Sequence, residues 1–150
     1  MSEMAKRYMN QELKAGLLLP NIQLANWNGE SFKLYNLSGK KILIFTSLHC
    51  LACIDLMPHI NRIQEIYSAT IVFFSTGDEI DHKEIADYFN WEFPVIAMKE
   101  NEMEMTFSAK KFPYMIFADD TNKVIGGGVI HNLNDFKQYL LNNCFDIERK

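Results

Sequence analysis

Hydrophobic positions fall into two kinds of pattern along this chain. Ile42-Leu43-Ile44-Phe45 and Ile71-Val72-Phe73-Phe74 are unbroken apolar runs, which predict buried strands over Lys41–Phe45 and Thr70–Ser75. Between them Leu56, Met57, Ile60, Ile63, Ile66 and Tyr67 recur at helical spacing. A helix of about sixteen residues between two strands predicts a parallel, right-handed βαβ unit.

The flanking sequence predicts the remaining elements. From Ile22 to Leu37, short alternating stretches surround Asn28-Gly29, a hairpin signal because both central positions tolerate positive φ. Ser38-Gly39-Lys40 then turns into the first core strand. Gly77-Asp78 ends the second one, and Asp81-His82-Lys83-Glu84 has the pattern of a capping box opening a helix through Phe89. An extended piece over Glu92–Ala97 and a short helix near Glu102–Ala109 follow. Lys111–Ala118 predicts a strand entered through Pro113, and Asp119–Asn122 turns it into an antiparallel partner, Lys123–Ile130, with a glycine bulge. A last helix begins near Asn132 or Asn134. Leu133, Phe136, Leu140 and Cys144 share its apolar face, so Cys144 is expected to be a buried, inert thiol.

The candidate chemistry lies where the first buried strand hands over to its helix, at Cys50-Leu51-Ala52-Cys53. Unpaired N–H groups and the macrodipole at a helix N-terminus favour negative charge and lower the pKa of a thiol held there. The dipole contributes up to ~2 kcal/mol, or about one and a half pK units. Cysteines three apart share a helical face and can close a small disulfide ring. Cys50, at the tip, is expected to attack, and Cys53, a turn inside, to resolve the mixed disulfide. A structural zinc would need four ligands, yet no second C-x-x-C or H-x₃₋₅-H follows, and His49, His59, His82, His131 and Cys144 are scattered. A purely structural disulfide would close a tiny loop and stabilise little. Asp78, at the carboxyl end of the second strand, is expected at the same sheet edge as Cys50, where sites form in open α/β sheets.

Composition narrows the picture. The 150 residues suit one domain with a full core, and 13% aromatic content promises a dense interior. Residues 1–15 are expected to form a polar N-terminal extension and 16–150 the domain itself. A formal charge of −4 offers no electrostatic case for nucleic acid or an anionic membrane. Three cysteines exclude a disulfide-rich secreted scaffold. The apolar cluster Leu17-Leu18-Leu19 stops at Pro20, too short for a signal h-region or a membrane span. A monomeric cytoplasmic protein is therefore expected, or an extracytoplasmic one if an N-terminal anchor has been removed.

With these residues in place the order of elements resembles the thioredoxin-like superfamily, and more closely its TlpA/ResA-type and MauD-like redoxins. The resemblance covers about residues 16 to 143. It rests on Gly29 and the run Leu34 to Lys40, the C-x-x-C, Pro58 five residues after Cys53, Phe93-Pro94, and Pro113. It implies an α/β fold: a central mixed sheet flanked by helices, with an N-terminal β-hairpin and a central insertion. It also implies a kink at Pro58 and a cis peptide bond at Phe112–Pro113. That proline would lie against the disulfide and, with the backbone before it, pair with an extended client segment. Gly77-Asp78 falls where the ResA type has a Gly-Glu whose acid tunes thiol chemistry.

Other positions depart from the family. His49 replaces the residue before the first cysteine, usually Trp; the acid that thioredoxin buries in its central strand falls on Ile44; and the intervening dipeptide is Leu51-Ala52. These changes leave the direction of electron flow open. His49 is either a cation stabilising the Cys50 thiolate or a surface residue. Asp78 is either a turn residue or, with its pKa raised by desolvation beside the cysteines, the acceptor of the Cys53 proton.

The implied activity is thiol–disulfide exchange without a cofactor. Cys50, Cys53 and Asp78 would be catalytic, and His49, Leu51, Ala52, Phe112 and Pro113 would contact the client. Partners would be protein or peptide thiols and disulfides, plus a redox partner that recycles the pair. Three alternatives stand beside it. One is a peroxiredoxin, faintly echoed by Ser47-x-x-Cys50, although Leu43 stands where its proline is expected. Another is soft-metal handling such as Cu(I) held by Cys50 and Cys53, with His131 contributing. The third is a binding module that recognises a peptide beside Pro113 without turnover.

Overall fold

The computed structural model describes residues 13–143 and 145, and every element below belongs to that span. The unbroken apolar run Lys41–Phe45 forms strand β3, buried at all five positions. A strand with no polar face must be covered on both sides, and β3 accordingly occupies the middle of a five-stranded sheet. Its neighbours are β4 (Thr70–Ser75), parallel and in register from Lys41↔Thr70 to Phe45↔Phe74, and β6 (Tyr114–Ala118), antiparallel. Outside these lie β5 (Val95–Ala97), parallel to β4, and β7 (Val124–Val129), antiparallel to β6. The sheet order is β5-β4-β3-β6-β7, a mixed sheet. A separate hairpin joins β1 (Gln23–Ala25) to β2 (Ser31–Lys33) and bridges the main sheet through Asn26 and Ile96.

The two faces of β3 and β4 divide the core. Ile42, Ile44, Ile71 and Phe73 point one way, toward helix α1 (Leu51–Leu56), a 3₁₀ turn at Met57–His59 and helix α2 (Ile60–Ile66). Pro58 lies in that 3₁₀ turn, where its missing N–H interrupts the α-helical ladder and makes one predicted helix into two segments. Helix α3 (Glu79–Phe89) contributes Ala86 to this face, and helix α5 (Leu133–Asn142) contributes Phe136 and Leu140. Leu43, Phe45, Val72 and Phe74 point the other way, against Leu24 of the hairpin, Leu34, and Met103 and Phe107 of helix α4 (Glu100–Phe107). The Phe107 ring lies 5.0 Å from that of Phe45 and 5.3 Å from that of Phe74, which anchors α4 beneath the two central strands. No helix among the described residues is long and apolar enough to cross a membrane.

Four local expectations change. The hairpin turn spans residues 26–30, with positive φ at Gly29 and not at Asn28; Asn26 accepts the Gly29 N–H, and the Asn28 side chain accepts that of Glu30. Helix α3 starts three residues before the predicted box. Asp78 is its N-cap and Asp81 its third residue, each side chain accepting the other's backbone N–H. The irregularity in β7 is not a glycine bulge, because Phe117 pairs with Gly126 and Ala118 with Val124, which leaves Ile125 as the extra residue. Helix α4 begins at Glu100, two residues early. The Cys144 expectation lies outside the described residues.

Gly77 permits a close approach where β4 passes into α3. A Cβ there would lie 2.8 Å from Leu48 Cδ1 and 3.0 Å from His82 Nε2. His82 is fully buried, and neither ring nitrogen has a hydrogen-bond partner among the described residues. Burial holds its pKa below the ordinary histidine value of 6.5, against the smaller opposing pull of Asp81 and Asp78. As pH falls through about 6.5 the unfolded chain therefore takes up the proton before the folded one, so the native state loses stability on acidification and keeps it above that pH. The melting temperature is expected to fall between pH 7.5 and 5.5, and the fall should be smaller in His82→Leu. Equal falls in the two proteins, followed by circular dichroism, would contradict this origin.

Candidate active site

The C-x-x-C segment is tied to the end of β4 before the helix begins. One residue past β3, Thr46 extends the parallel ladder, donating its N–H and its hydroxyl to the Phe74 carbonyl at 2.9 and 2.8 Å. The Leu48 N–H donates to Thr76 Oγ1 at 3.0 Å, and the Cys50 N–H to the Ser47 carbonyl at 3.1 Å. Ser47 itself is buried. Its hydroxyl donates to Glu100 Oε2 at 3.0 Å and accepts the His49 N–H at 3.2 Å. The loop thus enters α1 with the N–H groups of Leu48, His49 and Cys50 paired.

Cys50 is the N-cap of α1, and its sulfur takes the place of the usual cap oxygen. Cys50 Sγ accepts the Cys53 N–H at 3.2 Å, so an otherwise unpaired helix N–H points at the sulfur. The same thiol faces the Phe112 carbonyl at 3.7 Å. The two cysteines are free thiols that differ in environment: Cys50 is half-buried and Cys53 is fully enclosed. Burial pushes the Cys53 thiol up, and its hydrogen bond with Cys50 adds to this; a backbone bond from Ser47 partly offsets them. At neutral pH Cys53 therefore keeps its proton. This arrangement leaves one sulfur accessible and one held in reserve beneath it.

The segment Phe112–Pro113, 62 residues beyond Cys50, is brought against it by the antiparallel pairing of β6 with β3. The Phe112–Pro113 bond is cis, as the resemblance implied; Phe112 is half-buried and Pro113 buried. Leu51 is 73% exposed and Ile54 44%, so the surface around Cys50 is apolar; Ala52 is half-buried and His49 exposed. Ile44 is fully buried on the face covered by α1 and α2, with no acid in its place.

Asp78 requires a correction. Its carboxylate is at the surface, and the Asp81 N–H that it accepts as the α3 cap holds its pKa down. The premise that desolvation raises its pKa does not hold, and its structural role is that of a helix cap.

Sequence reasoning passed over Glu100, the acid that does reach the cysteine loop. Its bond to Ser47 spans 53 positions, and only the packing of α4 under β3 and β4 brings the two together. Spacing from Cys50 is the sole sequence signal at Ser47 and Thr76 carries none, although a hydroxyl just past a strand end is a recurrent partner for loop N–H groups. No group of three or more His, Cys, Asp or Glu side chains able to hold a metal ion occurs among the described residues.

No family model matches the sequence, and no curated protein matches it. Solved structures do resemble it. The thioredoxin domain of a thiol-disulfide oxidoreductase from Bacteroides vulgatus is 18% identical, with a TM-score of 0.69 over 87% of this chain and 98% of that one. A thiol:disulfide interchange protein from Bacteroides sp. is 18% identical, with a TM-score of 0.67 over 87% and 91%. The peroxidoxin BcpB from Mycobacterium tuberculosis is 14% identical, with a TM-score of 0.71 over 88% and 96%. At these identities the likeness speaks for the fold: this chain has a thioredoxin-like fold.

The unequal burial of the two thiols has a direct test. Under limiting iodoacetamide near pH 7, Cys50 is expected to label faster than Cys53 by roughly a factor of ten or more. Peptide mass spectrometry gives the order; faster labelling of Cys53 would contradict the geometry.

Proposed function

We propose that this protein is a thiol–disulfide oxidoreductase acting on protein or peptide cysteines. The observation that carries this reading is the capping of α1 by a sulfur. An accessible Cys50 Sγ receives the Cys53 N–H and faces the Phe112 carbonyl, while Cys53 waits, protonated, one turn inside. The structural likeness to proteins described as thiol–disulfide oxidoreductases and interchange proteins supports it.

In the reducing direction, Cys50 gives its thiol proton to solvent and its Sγ attacks one sulfur of a client disulfide. The client S–S bond breaks, a Cys50–client disulfide forms, and the first client sulfur leaves as a thiol after taking a proton from solvent. Cys53 then gives up its proton and attacks Cys50 Sγ, so that the mixed disulfide breaks and the second client sulfur departs with a proton. The protein is left with a Cys50–Cys53 disulfide, and the client has gained two electrons. The reverse sequence oxidises a client dithiol. A recycling dithiol or disulfide partner restores the starting state.

Leu51, Ala52, His49 and the Phe112–Pro113 segment would form the client's seat. The exposed apolar side chain of Leu51 offers contact area. Phe112 offers a backbone beside which an extended peptide can lie.

With dithiothreitol as reductant, the protein should accelerate reduction of an insulin-type disulfide, and Cys50→Ser should abolish the acceleration. Cys53→Ser should instead accumulate a mixed disulfide with the client, visible on non-reducing gels and lost on reduction. Wild-type protein that leaves the substrate at the uncatalysed rate, yet consumes peroxide or retains Cu(I), would replace this reading with one of its alternatives.

A further inference from the structure

We propose that the cavity beside the Phe112–Pro113 segment receives acidic side chains of the client, so that the protein prefers peptides with carboxylates close to their cysteines. This deepens the disulfide-exchange reading above and rests on it for the client's approach to Cys50. The cavity measures about 490 Å³, within the range of ligand pockets. Three lysines line it, Lys14, Lys110 and Lys111, and no aspartate or glutamate does. In a chain of formal charge −4 that is a local reversal of sign. The ion pairs among the described residues, Arg62–Glu65, Lys83–Asp87 and His131–Asp135, use none of the three.

Separate elements hold these lysines in place. Lys110 and Lys111 stand on the loop between α4 and β6, which is pinned at both ends. At its start the Ser108 N–H donates to the Glu104 carbonyl at 2.9 Å, and that of the buried Ala109 to the Met103 carbonyl at 3.3 Å. At its end Pro113 is buried. Lys14 comes from the other end of the sequence. Its carbonyl accepts the Leu17 N–H at 3.2 Å, and this turn is fastened to the start of β7. There the Gly16 N–H donates to the Val124 carbonyl at 2.8 Å, and the Val124 N–H to the Leu17 carbonyl at 2.7 Å. The floor of the cavity is β7 itself, bare backbone at Gly126 and Gly127. A Cβ at Gly126 would collide with the Tyr139 hydroxyl, and one at Gly127 would lie 3.0 Å from the Met115 carbonyl oxygen.

Position ties the cavity to the chemistry. Lys111 and Tyr114, both in its wall, flank Phe112–Pro113 in sequence, and the Phe112 carbonyl lies 3.7 Å from Cys50 Sγ. An extended client advances ~3.3 Å per residue, so acids about two to five positions from its reacting cysteine lie roughly 7–17 Å along the chain from it. A competing role for Lys110 and Lys111 is to complement the carbonyl end of α4. Lys14, from another element, has no part in that.

Two peptides decide it, each with one intramolecular disulfide flanked on both sides by glutamates or, in the other, by glutamines. With dithiothreitol as reductant at about 10 mM salt, kcat/KM is expected to favour the Glu peptide by about fivefold or more, and by no more than about twofold at about 1 M salt. All three lysines are exposed, so Lys14→Gln/Lys110→Gln/Lys111→Gln should fold, with a ratio near one. A control replacing Lys33, Lys40 and Lys83 by Gln, none of which lines the cavity, changes the net charge equally and should keep the preference. Equal rates for the two peptides, a preference that survives in the cavity variant, or equal loss in the control would each overturn the proposal. Binding of a fluorescent, cysteine-free Glu peptide, read by anisotropy, is scored apart from turnover. Loss of that binding in the cavity variant supports the site even where neither disulfide is reduced. Turnover of both peptides without acid preference overturns the site and leaves the functional reading standing. Binding of citrate without binding of the Glu peptide would make this a site for a small anion and overturn it for a client.

Discussion

The parallel pairing of β3 with β4 governs the rest of this molecule. Both strands are apolar on both faces, and burying each large side chain contributes about 1.5–3 kcal/mol, so helices must cover the sheet on both sides. Parallel strands also end at the same edge. That edge is where Thr46 and Leu48 find Phe74 and Thr76 as partners and where the chain enters α1. A shift of this register by one residue would turn each strand inside out and move the loop off its anchors. The antiparallel pairing of β6 with β3 then carries Phe112 to the same edge.

Within this frame the difference between the cysteines is a consequence of helix geometry. A residue at the N-cap is at the tip, and one three positions on faces inward. Cys50 accordingly is half-buried and Cys53 is fully buried. The same geometry aims the Cys53 N–H at the Cys50 sulfur. Enclosure has an energetic consequence that only the protein can offset, because a buried thiolate is disfavoured unless hydrogen bonds support it. Ser47 holds the loop that carries the cysteines, its carbonyl accepting the Cys50 N–H and its hydroxyl bonded to Glu100 of α4.

What could be read from sequence divides along the range of the interactions. The strands Lys41–Phe45 and Thr70–Ser75 and the placement of Cys50 at a helix start follow from local periodicity, and the structure has them; the break at Pro58, which it also has, was implied by the family resemblance. The cis bond at Phe112–Pro113 came from family resemblance and not from local chemistry. Helix α3 starts earlier than its sequence pattern predicts because Asp78 and Asp81 are both good capping residues; the tight passage at Gly77 past Leu48 accompanies the earlier start. The same cap engages the Asp78 carboxylate and holds its pKa down, against the expectation that desolvation raises it. Glu100 was invisible for a different reason. Its partner is 53 residues away, and nothing in a run of acids along α4 marks one of them as the residue that reaches the cysteine loop.

If Cys50 and Cys53 form a working redox pair, they must interconvert between dithiol and intramolecular disulfide as a single two-electron couple. Equilibrating the protein across a series of thiol–disulfide buffers, quenching with an alkylating agent and counting labels by mass spectrometry measures this directly. The expected result is one transition in which both cysteines lose label together, with a tenfold change in the oxidised-to-reduced ratio per ~30 mV. Labels lost one at a time, or mixed disulfides with the buffer thiol that never resolve to a Cys50–Cys53 bond, would contradict a redox pair.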